Sequence, residues 1–293
     1  MQVKTGTLHP DFGATVAGVD LSQELSQDQI SAIDLALETH AVLVFRNQDL
    51  SQDRQLAMCR QFGEIDLGLA KAKKTPVRLK HRELLDMSNV GLDGEVVTRD
   101  HQKILGNIAN QLWHSDSSFQ KPSARFSMLY AVVVPPQGGE TEFADMRLAY
   151  ETLPPAAKAR VAGLRGQHHA FHSRLMLGDT GYTAEQLNAI EPAEWPLVRR
   201  QQRTGRDFLF VCVHVHEIAG MTVPEARMLV CDLIEHATEP QRRYRHEWQV
   251  GDVVMWDNRI TLHRGRHFPL DQRRELRRTT TLDLNSPNEA VAA

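Results

Sequence analysis

Residues 251–266 read GDVVMWDNRITLHRGR, and the fold turns on this stretch. Asp252–Trp256 is a short β-rich run that leads through Asp257-Asn258-Arg259 towards His263. Comparable runs lie at Phe126–Val134, Phe208–Val213 and Arg277–Leu282, with Gly and Pro punctuating the segments between them. Short strands spaced by turn residues predict a β-sandwich or barrel. One helix interrupts them. Thr222-x-x-Glu225 is a capping box, Pro224 sits in the first turn, and Ala226, Leu229, Val230, Leu233 and Ala237 form an apolar stripe.

Towards the N-terminus the pattern becomes helical. Ser26-x-x-Gln29 predicts a capped helix with Ile30, Ile33 and Leu37 on one face, followed by a fully buried strand over Ala41–Phe45. Ser51 predicts a second cap, for a helix carrying Leu56, Cys59 and Phe62 and stopped by Gly63 at C′. The basic stretch 71–82 (KAKKTPVRLKHR) reads as a loop or lid, and the tail after Asn285 as frayed. All of 1–293 is expected to form a single domain, with 64–100 the candidate loop or lid region.

The chain has 293 residues, 41% hydrophobic and 24% charged, which is a globular composition able to bury a full core. Thirty-four Lys+Arg against 37 Asp+Glu give a net charge of -3. A field of that sign does not attract nucleic acid or an anionic membrane, so any anion recognition is local. With no signal-peptide pattern and no membrane-length apolar run, the expected location is the cytoplasm. Cys59, Cys212 and Cys231, odd in number and widely spaced, fit a reducing compartment and read as buried small hydrophobes. The composition allows a homo-oligomer without requiring one.

The segment Gln111–Phe119 (QLWHSDSSF) carries the chemistry. Side chains alternate in an extended chain, so His114 and Asp116 share a face and can grip one ion, while a barrel can bring His263 beside them. Two imidazoles and a carboxylate form the facial triad of non-haem Fe(II) oxygenases, which leaves coordination positions open. Taken alone, His-x-Asp also fits a hydrogen-bonded structural histidine. Arg274 and Arg278, four apart, would share a strand face and suit carboxylates. The competing reading of Arg273, Arg274, Arg277 and Arg278 is a solvated basic stripe.

Together, LWHSDSSF, GGETEFADMR, GDVVMWDNRITLHRGR and RRELRRTTTL resemble the taurine dioxygenase family of Fe(II)/2-oxoglutarate-dependent oxygenases, over Leu8 to Leu282. The resemblance implies a mainly β fold with flanking helices, a double-stranded β-helix or jelly roll. It implies His114, Asp116 and His263 as iron ligands and catalytic centre, Thr141 and Arg274 as the 2-oxoglutarate residues, and Arg278 on the substrate's anionic group. Lys71 and His214 match further substrate residues. Fe(II) is the implied cofactor, with 2-oxoglutarate and O2 as co-substrates. The implied reaction forms succinate and CO2 and hydroxylates a C–H bond of a small anionic molecule.

The resemblance is strongest to the phenoxyacetate-cleaving branch. There, hydroxylation beside the ether oxygen of an acid such as 2,4-dichlorophenoxyacetate gives a hemiacetal that collapses to a phenol and glyoxylate. The chain departs from that pattern at Gln201 and Glu217, where the branch has His, although His216 lies next to the second. Rival readings keep the chemistry on a sulfonate, an alkyl sulfate or another aromatic carboxylate. Readings of another class are a non-oxygenase metal-binding β-barrel or a zinc hydrolase.

Overall fold

The computed structural model describes residues 4–68 and 76–284, so Lys71 and the tail beyond Asn285 lie outside the described residues. In chain order the strands are β1 Lys4–Thr7, β2 Ala14–Ala17, β3 Val42–Phe45, β4 Leu85–Ser88, β5 Ala124–Val133, β6 Thr141–Asp145, β7 Arg165–His168, β8 Ala193–Pro196, β9 Val198–Arg200, β10 Asp207–Leu209, β11 Val215–Ile218, β12 Arg243–His246, β13 Val253–Asp257, β14 Thr261–Gly265 and β15 Glu275–Leu282. The major sheet runs β1-β2-β3-β13-β5-β15-β4, and the sheet that supplies site residues opposite it runs β12-β6-β14. This is the expected jelly roll: mainly β, with helices packed outside.

Alternation along the central strands divides the interior into two cores. Val42, Val44, Val254 and Trp256 belong to the core between the sheets. Leu43, Phe45, Val253 and Met255 face the other way, onto Ile33 and Leu37 of the helix Gln27–His40 and Met58 and Cys59 of the helix Gln52–Arg60. A strand buried on both faces must be apolar at every position, which is why 41–45 reads as an unbroken run. Each large side chain buried this way contributes about 1.5–3 kcal/mol against the entropy of ordering the chain.

The caps at Ser26 and Ser51 form as the sequence predicts, and Thr222 N–H donates to Glu225 at 2.9 Å. The stop at Gly63 differs. The helix ends at Arg60 with Gln61 as its cap, so Gly63 is C″ and not C′. Gln61 and Phe62 N–H bond three residues back, to Met58 and Cys59, so the tightened last turn needs no left-handed residue at C′.

Phe208–Val213 is also not one strand. Only Asp207–Leu209 pairs with β9; Phe210 N–H then bonds to Leu197 and Val213 N–H to Trp113, so the ladder changes partner every few residues. Region 64–100, read as a loop or lid, contains β4, which pairs with β15 at the sheet edge. Cys231 is exposed on the helix Val223–Ala237, whereas Cys59 and Cys212 are buried. Among the described residues no helix is long and apolar enough to cross a membrane.

Candidate active site

One open end of the roll gathers the polar residues. His263 lies on β14 and forms an isolated antiparallel bridge with His114, with N–H···O distances of 3.0 and 2.9 Å. That pairing sets the two imidazoles side by side, ring centroids 4.1 Å apart. His114 Nδ1 is 2.8 Å from the Leu112 carbonyl. A carbonyl only accepts, so Nδ1 carries the proton and Nε2 keeps the lone pair a metal requires. His114 Nε2 lies 3.9 Å from Asp116 Oδ1, and His263 Nε2 3.7 Å from Oδ2. One donor atom from each of the three residues falls within 4.8 Å of the others. Two imidazole nitrogens and a carboxylate, all buried, are the donor set a divalent iron accepts.

Asp116 is held by residues that motif reading passed over. Ser127 Oγ donates to its Oδ2 at 2.7 Å, Asn258 Nδ2 supports Ser127 at 2.9 Å, and Asn258 Oδ1 accepts the Asp116 N–H at 3.2 Å. Trp256 Nε1 in turn fixes Asn258 Oδ1 at 2.9 Å. Burial alone would raise the Asp116 pKa, but Arg278, His263, His114 and the Ser127 hydrogen bond together hold it below the ordinary carboxylate range. Burial pushes His114 and His263 below the usual imidazole value, which favours the neutral, ligating form.

Two cavities meet at this cluster, and His114 and Arg278 line both. The larger, of about 850 Å³, is lined by Thr141, His263, Arg274 and apolar side chains including Leu129, Phe268 and Leu276. Arg274 precedes β15, and Arg274, Leu276 and Arg278 alternate onto this one cavity, so the four-residue spacing does give a shared face. The guanidinium of Arg274 donates to the carbonyls of Gly139 at 3.0 Å and Met87 at 3.4 Å, and burial pushes its pKa down to about 10. Gly139, at φ +73°, is required for this seating, because a Cβ there would stand 2.9 Å from Arg274 Nε. Trp248 Nε1 donates to Thr141 Oγ1 at 3.1 Å, leaving the hydroxyl proton to point elsewhere.

The smaller cavity, about 280 Å³, is lined by Asp116, Phe119, Arg174, His214, Arg278 and Lys103, among others. His214 is buried neutral beside Ser118 Oγ, at 3.1 Å. Gln201 and Glu217 line neither cavity. Gln201 is buried against Arg147, Thr204 and the Glu38 carbonyl, and Glu217 points to solvent from β11. His216 packs against His169 and His172. Neither departure from the family pattern therefore touches the reaction centre. Among the residues missed above, Ser127, Asn258, Trp248 and Arg174 carry no local signature; only the tertiary fold, which brings distant segments together at the site, reveals them.

A jelly roll with a candidate metal triad beside an arginine-lined cavity is the architecture of a metal-dependent oxygenase. Residues 4–280 match the model of the Taurine catabolism dioxygenase TauD, TfdA family, and the chain belongs to that family of Fe(II)/2-oxoglutarate-dependent dioxygenases. It is 52% identical over 283 residues to the alpha-ketoglutarate-dependent 2,4-dichlorophenoxyacetate dioxygenase of Cupriavidus pinatubonensis (strain JMP 134 / LMG 1197), covering 97% of this chain and 99% of that one. It is 30% identical to an alkylsulfatase of Acinetobacter baylyi (strain ATCC 33305 / BD413 / ADP1), covering 95% and 84% of the two chains. The crystal structure of AAD-2 in complex with Mn(II) and N-oxalylglycine superposes with a TM-score of 0.91 at 40% identity, covering 96% of this chain and 98% of that one. The hydrolase and non-enzymatic readings are thereby set aside.

Proposed function

We propose that the chain is an Fe(II)- and 2-oxoglutarate-dependent dioxygenase of phenoxyacetate-type acids. It would hydroxylate the carbon next to the ether oxygen and yield a phenol, glyoxylate, succinate and CO2. In this reading the chain acts as one domain, and His114, Asp116 and His263 hold the iron. Bound iron supplies oxidative decarboxylation and C–H oxidation. The protein's own groups supply position. Arg274 pairs with the distal carboxylate of 2-oxoglutarate, and Thr141, its oxygen already occupied by Trp248, donates its hydroxyl proton to the same group. Ser127 and Asn258 keep Asp116 in place while both co-substrates enter.

Arg278 faces the substrate acid from the shared wall, and His214 and Phe119 line the substrate side. Lys71, outside the described residues, is a further candidate for the acid group. The smaller cavity dictates which carbon is reacted, because bringing a C–H bond within reach of the metal is chiefly a matter of orientation.

The observation that carries this reading is the division of space around the triad. The larger cavity holds Arg274, Arg278 stands on the wall that it shares with the smaller one, and the triad lies where the two cavities meet, so two different anions can flank one metal. The test is a succinate-release screen of the Fe(II) protein with phenoxyacetates, alkyl sulfates and sulfonates. Phenoxyacetates should give the highest kcat/KM; preference for an alkyl sulfate or sulfonate would replace the substrate and keep the chemistry.

A further inference from the structure

Three cationic side chains line the smaller cavity, and two are already engaged. Lys103 Nζ is 2.7 Å from Asp86 and 2.9 Å from Ser88 Oγ. Arg278 Nη1 is 2.5 Å from Asp116. Arg174, on the short helix His172–Met176, is different. Among the described residues its guanidinium makes one hydrogen bond, a long one of 3.5 Å to the Ala170 carbonyl, and no carboxylate lies within ion-pair distance. Asp179, the nearest acid in sequence, is occupied by the Tyr182 hydroxyl at 2.6 Å. The charge of Arg174 nonetheless reaches the site: it disfavours protonation of His114 and His214, and Arg174 and Arg278 oppose each other. Tyr182 and Asp179 favour the Arg174 charge without forming an ion pair with it, so a half-buried guanidinium that faces a second guanidinium across a cavity keeps its donors available to a bound anion. Phe119 lies edge-on to His214 at 5.2 Å and gives the same cavity an aromatic wall.

We propose that Arg174 is the specificity-determining residue that makes this cavity demand an acid group. It binds the carboxylate of an aryl acid, while Arg278 divides its hydrogen bonds between Asp116 and the same anion. This rests on the substrate reading above and adds a residue and a rule to it: a neutral isostere of the substrate should be rejected because of Arg174. Arg274 serves the other cavity and takes no part.

The experiment compares phenoxyacetate with phenoxyacetamide, its neutral isostere, in the Fe(II)-loaded wild type and in Arg174→Gln, Arg174→Met and Arg174→Lys, following phenol and succinate at saturating 2-oxoglutarate. The expected result in the two neutral variants is a rise of about tenfold or more in KM for phenoxyacetate, as for loss of a charge-assisted pair. The acid-over-amide preference falls by about the same factor, Arg278 retaining the remainder, while KM for 2-oxoglutarate and substrate-free succinate release stay within about twofold of wild type. Arg174→Lys retains part of the preference. A preference as large in the folded neutral variants as in the wild type overturns the role of Arg174 and leaves the substrate reading intact. A wild type that releases phenol from neither compound overturns the substrate reading, and this inference with it.

Discussion

Arg278 Nη1 stands 2.5 Å from Asp116 Oδ1, joining the candidate substrate anchor to the candidate metal ligand. In the proposed reading, the guanidinium that would face the substrate also steadies the carboxylate that would face the metal. Its removal should disturb substrate use more than co-substrate use, because Ser127 still holds the other oxygen of Asp116 at 2.7 Å. Arg278→Gln is expected to raise KM for phenoxyacetates about tenfold. Succinate release should continue, so that succinate exceeds phenol. The check is the ratio of the two products at saturating 2-oxoglutarate; wild-type coupling with wild-type affinity would move the anchor elsewhere, with Lys71 next to be tried.

The co-substrate end predicts a graded series. Arg274→Ala deletes a charge-assisted pair worth about 1.5–3 kcal/mol and should raise KM for 2-oxoglutarate roughly ten- to hundredfold. Gly139→Ala forces a Cβ to 2.9 Å from Arg274 Nε at a positive φ, so it should act in the same direction through displacement of that side chain. Trp248→Phe should give a smaller, severalfold rise by freeing the Thr141 hydroxyl to turn. Steady-state kinetics varying 2-oxoglutarate alone order the three; an unchanged KM in Arg274→Ala refutes the assignment.

His168 should make stability depend on pH. Burial, reinforced by the charges of Arg199 and His216, pushes its pKa down to about 3 from an ordinary 6.5. Between those values the unfolded chain binds the extra proton and the folded one does not. Its contribution is therefore complete above about pH 6.5 and is lost as pH falls towards 3, at up to about 1.4 kcal/mol per pH unit. Urea unfolding of wild type and His168→Gln at several pH values measures this; the variant should show the flatter dependence over that window.

The outer core sets a stability expectation independent of catalysis. Leu43 is fully buried between Ile33, Leu37 and Met255 in the core beneath the N-terminal helices. Leu43→Ala should cost about 2–5 kcal/mol, whereas Leu92→Ala, 64% exposed, should lie within about 0.5 kcal/mol of wild type. Denaturant midpoints of the two variants test whether that core is packed as described.

What could be read from the chain follows from the range of each interaction. The helix caps at Ser26, Ser51 and Thr222 and the buried run at Val42–Phe45 are local, and they formed where expected. His114 and Asp116 are visible as a pair because two residues in an extended chain share a face. His263 joins them only through strand pairing, so family resemblance, not spacing, pointed to it. Phe208–Val213 misleads because an apolar run does not name its partner, and its amides turn to Leu197 and Trp113. Gln201 and Glu217 looked like losses from the pocket, yet one bonds Arg147 and the other faces water. Arg174 had no signal, since an arginine becomes informative only when the fold sets it on a cavity wall with no ion pair among the described residues.

The measurement that bears most directly on the central claim is simultaneous quantification of succinate and phenol from the purified protein supplied with Fe(II), 2-oxoglutarate, O2 and 2,4-dichlorophenoxyacetate. The account predicts the two products in equal amounts, both abolished when 2-oxoglutarate is omitted and both abolished in Asp116→Ala. Phenol formed without 2-oxoglutarate, or succinate formed at the same slow rate with and without the phenoxy acid, would contradict it.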